Sequence, residues 1–143
     1  MDLVVLLRQA AVHEGSFYPY FPSREAFGAA MLRRYFVRYL RCLHDFFNDR
    51  PWSYRQGVLD YYDHLLLSCK VSSFAGCLYV KLSAKVCEFS EAMRGALEAG
   101  ALTMIGSLAA TLNKAQQQGT LSGQLNCPSC ARTIYIFWLV ASP

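Results

Sequence analysis

Residues 15–27 read Gly-Ser-Phe-Tyr-Pro-Tyr-Phe-Pro-Ser-Arg-Glu-Ala-Phe, and this stretch marks where two helical segments meet. Ser23 is placed to cap a helix that begins at Arg24 and carries an acid in its first turn. Upstream, apolar residues at helical spacing predict two short helices, Leu3–Ala10 and Glu14–Tyr20, on either side of a brief break. Two short helices joined by a tight turn are typical of a helix-turn-helix, whose second helix enters the major groove of DNA.

The segment after Ser23 shows the clearest amphipathic pattern in the chain. Its apolar stripe consists of Phe27, Met31, Leu32, Tyr35, Phe36, Tyr39, Leu40, Leu43 and Phe46. The arginines that fall mostly on the other side are Arg33, Arg34, Arg38 and Arg41. This helix is predicted to end by Asp49, because Pro51 disfavours helical geometry in the residue before it. Ser53 and Gln56 then form a capping box that starts a fourth helix.

The remaining segments also show helical spacing, so the predicted fold class is all-α. The helices run from Ser53 to about Lys70, from Cys77 to Val86, from a cap at Ser90 to about Gln118, where Gly119 ends the helix, and onward from Ser129. Gly95, Gly100 and Gly106 each cost about 1 kcal/mol relative to Ala, which indicates a close backbone neighbour or a broken helix. The stretch Ile134–Val140 is apolar all round, so we expect a partner subunit or further chain to cover it.

Composition excludes a disordered chain. Of 143 residues, 54% are hydrophobic and 17% charged, enough apolar surface to build one compact unit. No apolar run approaches the ~20 residues that cross a bilayer, and the opening residues do not form a signal peptide. The sequence therefore predicts a cytoplasmic protein without a membrane segment, whose six cysteines are thiols or metal ligands rather than a disulfide framework.

Positive charge is concentrated near the N-terminus. The net charge is modest, 14 − 10 = +4, but residues 24–41 hold five arginines and only one acid. Residues 56–143, in contrast, hold six basic and five acidic groups. Such asymmetry suits contact between one end of the molecule and nucleic acid or another anionic surface, although a solvated helix face explains it equally well.

The quoted stretch resembles the GSFYHYFxSKEAF signature that ends the DNA-binding region of TetR-family repressors. Residues 76–78, 80–87 and 90–94 are similar to the ligand domain of an electrophile-responsive group within that family, and the similarity spans Leu3 to Val140. It implies an all-helical homodimeric repressor that binds double-stranded operator DNA until a small electrophile or oxidant modifies a cysteine.

The resemblance also implies a division of the chain. Residues 1–48 would form the helix-turn-helix region with its connecting helix, and residues 49–143 the helical domain for effector sensing and dimerisation. The chain would lack the first helix of the family's fold and stop before the end of its dimerisation helices, and is thus expected to be truncated at both ends.

The candidate DNA-binding residues lie on the second short helix and the cap that follows it: Glu14, Gly15, Ser16, Tyr18, Pro19, Tyr20 and Arg24. Hydroxyl groups and a guanidinium suit phosphate contacts, while residues 14–16 at the start of the helix are placed to approach base edges. Pro19 stands where the family usually has His. The alternative is that the aromatic residues form the core of a small bundle, and we expect Phe17 and Phe21 to do so.

The resemblance assigns effector sensing to Cys77 in a Gly-Cys-Leu motif. Its position at a predicted helix start, one turn before Lys81 and two before Lys85, stabilises a thiolate, the species that attacks electrophiles. The alternative is a buried cysteine that packs as a small hydrophobe. Cys87 is a candidate resolving thiol.

The spacing Cys127-Pro128-Ser129-Cys130 is that of redox dithiols and of half a zinc site, but nothing nearby completes four ligands. No nucleophile–base or paired-carboxylate pattern is present, so we expect no enzyme, no metal and no cofactor. Two alternatives to a regulator stay open: a thiol oxidoreductase using Cys127 and Cys130, or an interaction module that pairs with a longer relative without binding DNA.

Overall fold

A computed structural model describes residues 3–17, 19–71 and 90–141. Within these ranges the chain is all-helical and has no strand, as predicted. The helices are α1 (Leu3–Gln9), α2 (Glu14–Phe17), α3 (Arg24–Asn48), α4 (Tyr54–Val71), α5 (Glu91–Gln117) and α6 (Cys127–Ala141). The predicted helix over Cys77–Val86 and its preceding linker lie outside the described residues, apart from Val71, which ends α4.

Local capping determines most of these boundaries. Ser23 accepts a hydrogen bond at 3.1 Å from the amide of Ala26, and Ser90 accepts one at 3.3 Å from that of Met93. Gly119, with φ +75°, ends α5 in the left-handed region that glycine adopts without strain. These three predictions are confirmed.

The predicted capping box is only half formed. Ser53 accepts from the amide of Gln56 at 3.2 Å, as expected. The Gln56 side chain, however, donates to Asp60 at 2.8 Å instead of reaching back to the amide of Ser53. The reason is that the Ser53 amide already donates to the carbonyl of Arg50, which closes the preceding turn.

The second short helix is shorter than predicted. We expected Glu14–Tyr20, but α2 ends at Phe17 and is followed by a turn at Pro19 and Tyr20. Pro19 has no amide proton to donate to the carbonyl of Gly15, so the helical hydrogen-bond ladder stops there.

Four long helices form the main hydrophobic core. Three contacts join α3 to α5: Gly28–Met93, Phe36–Gly100 and His44–Ser107. Residue numbers rise together along both helices from one contact to the next, so α3 and α5 run parallel. Helix α4 packs on α3 and α5, and α6 packs on α5. The largest fully buried side chains are Leu43, Tyr61 and Leu108.

The buried side of α3 differs in part from the predicted stripe. Met31 was expected to be buried but is 52% exposed, whereas Phe47, outside the stripe, is 3% exposed. The stripe followed strict four-residue steps, which drift around a helix of 3.6 residues per turn. The buried positions, Ala29, Leu32, Phe36, Leu43 and Phe47, are instead separated by three, four, seven and four residues, which keeps them on one side of the helix.

Helix α5 is continuous through its glycines. The Phe36 side chain packs against Gly100. The close neighbour that requires a glycine at this position is therefore a side chain and not another backbone. Among the described residues, nothing outside the helix lies within 4 Å of a β-carbon built at Gly95 or Gly106, so this part of the structure shows neither a close neighbour nor a break at these two positions.

Helix α5 is also long and apolar enough, by length and composition alone, to cross a membrane. Charged and polar residues interrupt it, so it does not appear in the sequence as an uninterrupted apolar run. Its packing against α3, α4 and α6 is that of the central helix of a bundle.

The last helix is not buried all round. It begins at Cys127, two residues earlier than expected, because Asn126 accepts a hydrogen bond at 3.0 Å from the amide of Ser129 and so caps it. One side of α6 packs into the core, but Ile136, Phe137 and Val140 are 52%, 71% and 82% exposed.

Candidate nucleic-acid interface and cysteine sites

An aromatic cluster holds the two short helices on the start of α3. Phe17 is 4% exposed and packs with Leu7 of α1 in a small core separate from the main one. Its ring lies 5.3 Å from that of Phe21 and 5.1 Å from that of Phe27, and Phe21 and Phe27 are also 5.1 Å apart. Phe27 meets the other two rings edge-to-face, whereas Phe17 and Phe21 are tilted by 34°, and such contacts fix ring orientation. The prediction that Phe17 and Phe21 belong to a core is confirmed.

This packing leaves the polar side of the unit in solvent. Gly15, Ser16, Pro19 and Arg24 are exposed, and Tyr20 is 80% exposed. The side chain of Glu14 and all of Tyr18 lie outside the described residues. The five described candidates therefore lie on the surface next to the aromatic cluster.

The tight turn before α2 has a strained geometry. The amides of Val12 and Ala11 donate to the carbonyls of Leu7 and Arg8, the pair of hydrogen bonds that ends a helix in a Schellman motif. The motif requires a left-handed residue, and Ala11, with φ 56°, occupies that position. Its β-carbon makes this conformation costly, by about 1–2 kcal/mol.

The arginines of α3 are exposed, as predicted. In a helix of 3.6 residues per turn, Arg34, Arg38 and Arg41 share one side with Arg24. Among the residues that the structure describes, no carboxylate forms an ion pair with Arg33, Arg34, Arg38 or Arg41. The positive side of α3 thus begins at the candidate DNA-binding unit and continues along the helix.

A contact that the sequence analysis missed joins this unit to α5. The side chain of Met93 lies against Gly28, so close that a β-carbon there would be 2.8 Å from the Met93 sulfur. Gly28 directly follows Phe27 of the aromatic cluster, and Met93 lies in the first turn of α5. The sequence gives little indication of this contact: Gly28 is a small residue near the start of α3, and Met93 is a flexible apolar residue near the start of α5.

Tyrosines line the centre of the bundle. A cavity of about 30 Å³ lies among aromatic and apolar side chains of all four long helices: Tyr35, Phe36, Tyr39, Tyr61, Tyr62, Leu65, Met104, Tyr135 and Trp138. That volume holds one water molecule, not an organic effector. Burial raises the pKa of Tyr62 to about 12 and raises that of Tyr61 further, so both phenols are neutral. In the described part of the chain, the Tyr61 hydroxyl has no hydrogen-bond partner.

The predicted sensing residues Cys77 and Lys81, with Lys85 and Cys87, lie outside the described residues. Cys42 on α3 is half-buried, and burial, assisted by the carboxylate of Asp45, raises the pKa of its thiol. Cys42 is therefore poorly suited to react with electrophiles near neutral pH.

Cys127 and Cys130 are free thiols in the first turn of α6. Cys127 is 7% exposed, and Cys130 is half-buried. Cys127 also lines an open groove of about 430 Å³ between α5 and α6, together with Ala109, Ala110, Asn113, Gln116, Asn126 and Pro128. Within residues 3–17, 19–71 and 90–141, no cluster of three or more His, Cys, Asp or Glu residues is placed to hold a metal ion.

No protein-family model matches the chain. Over an alignment of 143 residues it is 39% identical to the HTH-type transcriptional repressor NemR of Escherichia coli K12, a match covering 99% of this chain and 72% of that protein. The crystal structure of reduced E. coli NemR superposes with a TM-score of 0.88, covering 99% of this chain and 74% of that one.

Two further solved structures are similar. A putative transcriptional regulator of the TetR/AcrR family is 32% identical, with a TM-score of 0.81, and the match covers 99% of this chain and 74% of that one. The regulatory protein TetR from Rhodobacter sphaeroides is 25% identical, with a TM-score of 0.89 and coverage of 99% and 75%.

Proposed function

The chain belongs to the TetR family of transcriptional repressors, and we propose that it binds operator DNA as a homodimer and is released when an electrophile or oxidant modifies Cys77. In this proposal, residues 1–48 read DNA and residues 49–143 sense the effector and dimerise. The protein acts where the DNA is, in the cytoplasm, and has no catalytic role.

The observation that carries DNA binding is the aromatic cluster. It anchors α2 through Phe17, and this leaves Gly15, Ser16 and Tyr20 facing solvent. A short helix held rigidly by its apolar side is suited to present its polar side to a groove of DNA. The exposed arginines of α3 add the positive potential that attracts a duplex.

We assign roles by chemistry. Glu14, Gly15 and Ser16 approach base edges, since they begin α2. Tyr18, Tyr20 and Arg24 contact phosphates, and Pro19 shapes the turn between them. Because no described residue lies within 4 Å of a β-carbon built at Gly15, its lack of a side chain suits close approach to the duplex rather than packing within the protein.

The test is duplex binding across a salt series, with Arg24→Gln compared with the charge-matched control Arg55→Gln on α4. We expect Arg24→Gln to weaken operator binding about 10-fold and to reduce the salt slope by about one ion, because it removes one phosphate contact. Arg55→Gln should leave both unchanged. Equal effects of the two variants would contradict the assignment, and binding that does not weaken with rising salt would contradict phosphate contact altogether.

Cysteine sensing is supported by the small size of the central cavity. A space of about 30 Å³ cannot admit an organic inducer, which favours covalent reaction at a thiol over reversible binding in this central cavity. The resemblance places that thiol at Cys77, with Lys81 as the neighbouring positive charge.

N-ethylmaleimide provides the test of sensing. We expect limiting reagent at neutral pH to label Cys77 first and to release operator DNA, and Cys77→Ser to stay bound after the same treatment. Cys42 is the internal control, since burial raises the pKa of its thiol. Release that persists in Cys77→Ser would overturn the sensing role without affecting DNA binding.

Dimerisation is supported by the uncovered side of α6. Phe137 and Val140 are 71% and 82% exposed. Exposing such large apolar side chains to water is unfavourable and marks a surface for a partner. A second copy of the same surface satisfies them and gives the two-fold symmetry that a palindromic operator requires.

A further inference from the structure

The two cysteines at the start of α6 are placed to react with each other. They are three residues apart in the first helical turn, where β-carbons lie about 5–6 Å from one another. A disulfide requires about 3.5–4.5 Å between β-carbons, so the bond needs only a small closure of this turn.

The first turn of α6 is able to make that adjustment. The first four amides of a helix lack intrahelical acceptors, and Pro128 contributes no amide at all. Here Asn126 supplies the partners: its side-chain oxygen accepts from Ser129 at 3.0 Å, and its backbone oxygen accepts from Cys130 at 2.9 Å. Closing the turn therefore acts first on these two hydrogen bonds, both made to one residue outside the helix.

The two thiols also differ in access. Cys130 is half-buried, whereas Cys127 is 7% exposed and belongs to the main core. The open groove of about 430 Å³ is lined by Cys127, Asn113 and Asn126 but not by Cys130. Because Cys130 has the more exposed side chain of the two, we expect a small reagent to modify it first and Cys127 to react second.

We propose that Cys127 and Cys130 form a reversible intramolecular disulfide with small disulfides as oxidant, so that the start of α6 is a redox-modifiable dithiol site. The Cys130 thiolate attacks one sulfur of the small disulfide, forming a mixed disulfide and releasing one small thiolate. The Cys127 thiolate then attacks the Cys130 sulfur, forming the protein disulfide and releasing the second small thiolate. Two protein thiols lose two electrons and two protons, and one small disulfide becomes two small thiols.

The site does not depend on the segment that contains Cys77, and it needs no catalytic turnover. Its consequence is structural: the bond draws the Cys127 sulfur out of the main core towards Cys130. Helix α6 also carries the exposed Phe137 and Val140. Formation of the disulfide in its first turn would therefore act on the helix that forms the proposed dimer surface.

Peptide mapping of the native full chain tests the proposal. Trypsin cleaves after Lys114 and Arg132, and the fragment 115–132 contains Cys127 and Cys130 and no other cysteine. After incubation with oxidised glutathione, acid quenching and alkylation of remaining thiols, we expect most of this fragment to be lighter by two hydrogen atoms and free of alkyl groups. Dithiothreitol should restore the doubly alkylated form.

Single-cysteine variants establish the order of reaction. Cys130→Ser should leave Cys127 largely unmodified, because its sulfur is buried, whereas Cys127→Ser should accumulate glutathione on Cys130. Cys77→Ser should give the same fragment 115–132 as the parent, which separates this site from the sensing proposal. A fragment that stays doubly alkylated, that carries two glutathiones, or that is cross-linked to another peptide would overturn the inference. Because the readout is the mass of one fragment, failure of DNA binding or of Cys77 sensing does not change it.

Discussion

The ring of Phe36 on α3 occupies the space next to Gly100 on α5 that a β-carbon would fill. The two helices run parallel through this contact, which lies between the Gly28–Met93 contact nearer the candidate DNA-binding unit and the His44–Ser107 contact further along. Gly100 thus allows the two longest helices to approach each other at the centre of the bundle.

Gly100→Ala is expected to lower the free energy of unfolding by about 1–3 kcal/mol, because the new methyl group overlaps the Phe36 ring and the core has to shift. Gly106→Ala is the control: no residue of the described ranges lies within 4 Å of a β-carbon there, so it should raise stability by about 0.5–1 kcal/mol through helix propensity. Urea denaturation measures both. A stabilising Gly100→Ala would show that the ring moves at no cost.

Ala11→Gly should stabilise the helix-turn-helix unit by about 0.5–1 kcal/mol. Ala11 has φ 56°, and glycine adopts this geometry without steric cost, although part of the gain is offset by the larger entropy of the unfolded chain. Hydrogen exchange of the α1 and α2 amides reports this local change, with Ala10→Gly, one residue earlier, as control. Slower exchange in Ala10→Gly but not in Ala11→Gly would contradict the Schellman assignment.

Gln118 connects the turn between α3 and α4 to the end of α5. Its side-chain oxygen accepts from the amide of Tyr54 at 3.0 Å, and its nitrogen donates to the carbonyl of Pro51 at 2.6 Å. Gln118→Ala is expected to cost about 1–2 kcal/mol in thermal or urea unfolding, since both hydrogen bonds are lost together. The neighbouring Gln117→Ala, an exposed helical position, should have almost no effect, and equal losses would refute the role of Gln118.

Alkaline pH should unfold the protein through its buried tyrosines. Burial raises the pKa of Tyr62 from 10.0 to about 12, so between these values the unfolded chain loses a proton that the folded chain keeps. The stability contributed by the neutral phenol is complete below pH 10 and is lost as pH rises towards 12.

Tyr62→Phe removes this contribution and should reduce the loss of stability over that range by about 1–3 kcal/mol. Tyr61 remains and keeps part of the dependence, because its pKa is also raised by burial. Tyr20→Phe, which replaces an exposed phenol, is the control for urea titrations at several pH values. An unchanged pH dependence in Tyr62→Phe would mean that the Tyr62 phenol is accessible to solvent.

Phe137→Glu tests the dimer surface. Phe137 is 71% exposed on α6, and a carboxylate there should weaken self-association more than about 10-fold while leaving the melting temperature of the monomer unchanged. Leu67→Glu on α4, where the leucine is 61% exposed, is the matched control. Sedimentation at several concentrations measures both, and a dimer weakened only by Leu67→Glu would place the interface on α4.

Several features followed from neighbouring residues alone. Ser23 and Ser90 cap their helices because a hydroxyl bonds an amide three residues on, and Gly119 ends α5 because only glycine adopts its φ cheaply. The all-α class and the family resemblance rest on such local patterns and on the motif at residues 15–27. Pro19 indicates that α2 ends early, but the predicted helix extended past it to Tyr20.

Other features required distant parts of the chain to meet. Which side of α3 is buried was decided by the helices that pack on it: Phe47 is covered by Tyr61 of α4, whereas Met31 is not covered. The packing of Phe36 accounts for the glycine at position 100. The cap at Asn126 and the groove beside α5 form the surroundings of Cys127 and Cys130. Local sequence determines hydrogen bonds within a few residues, whereas burial depends on which surfaces exclude water from one another, and only the packed helices decide that.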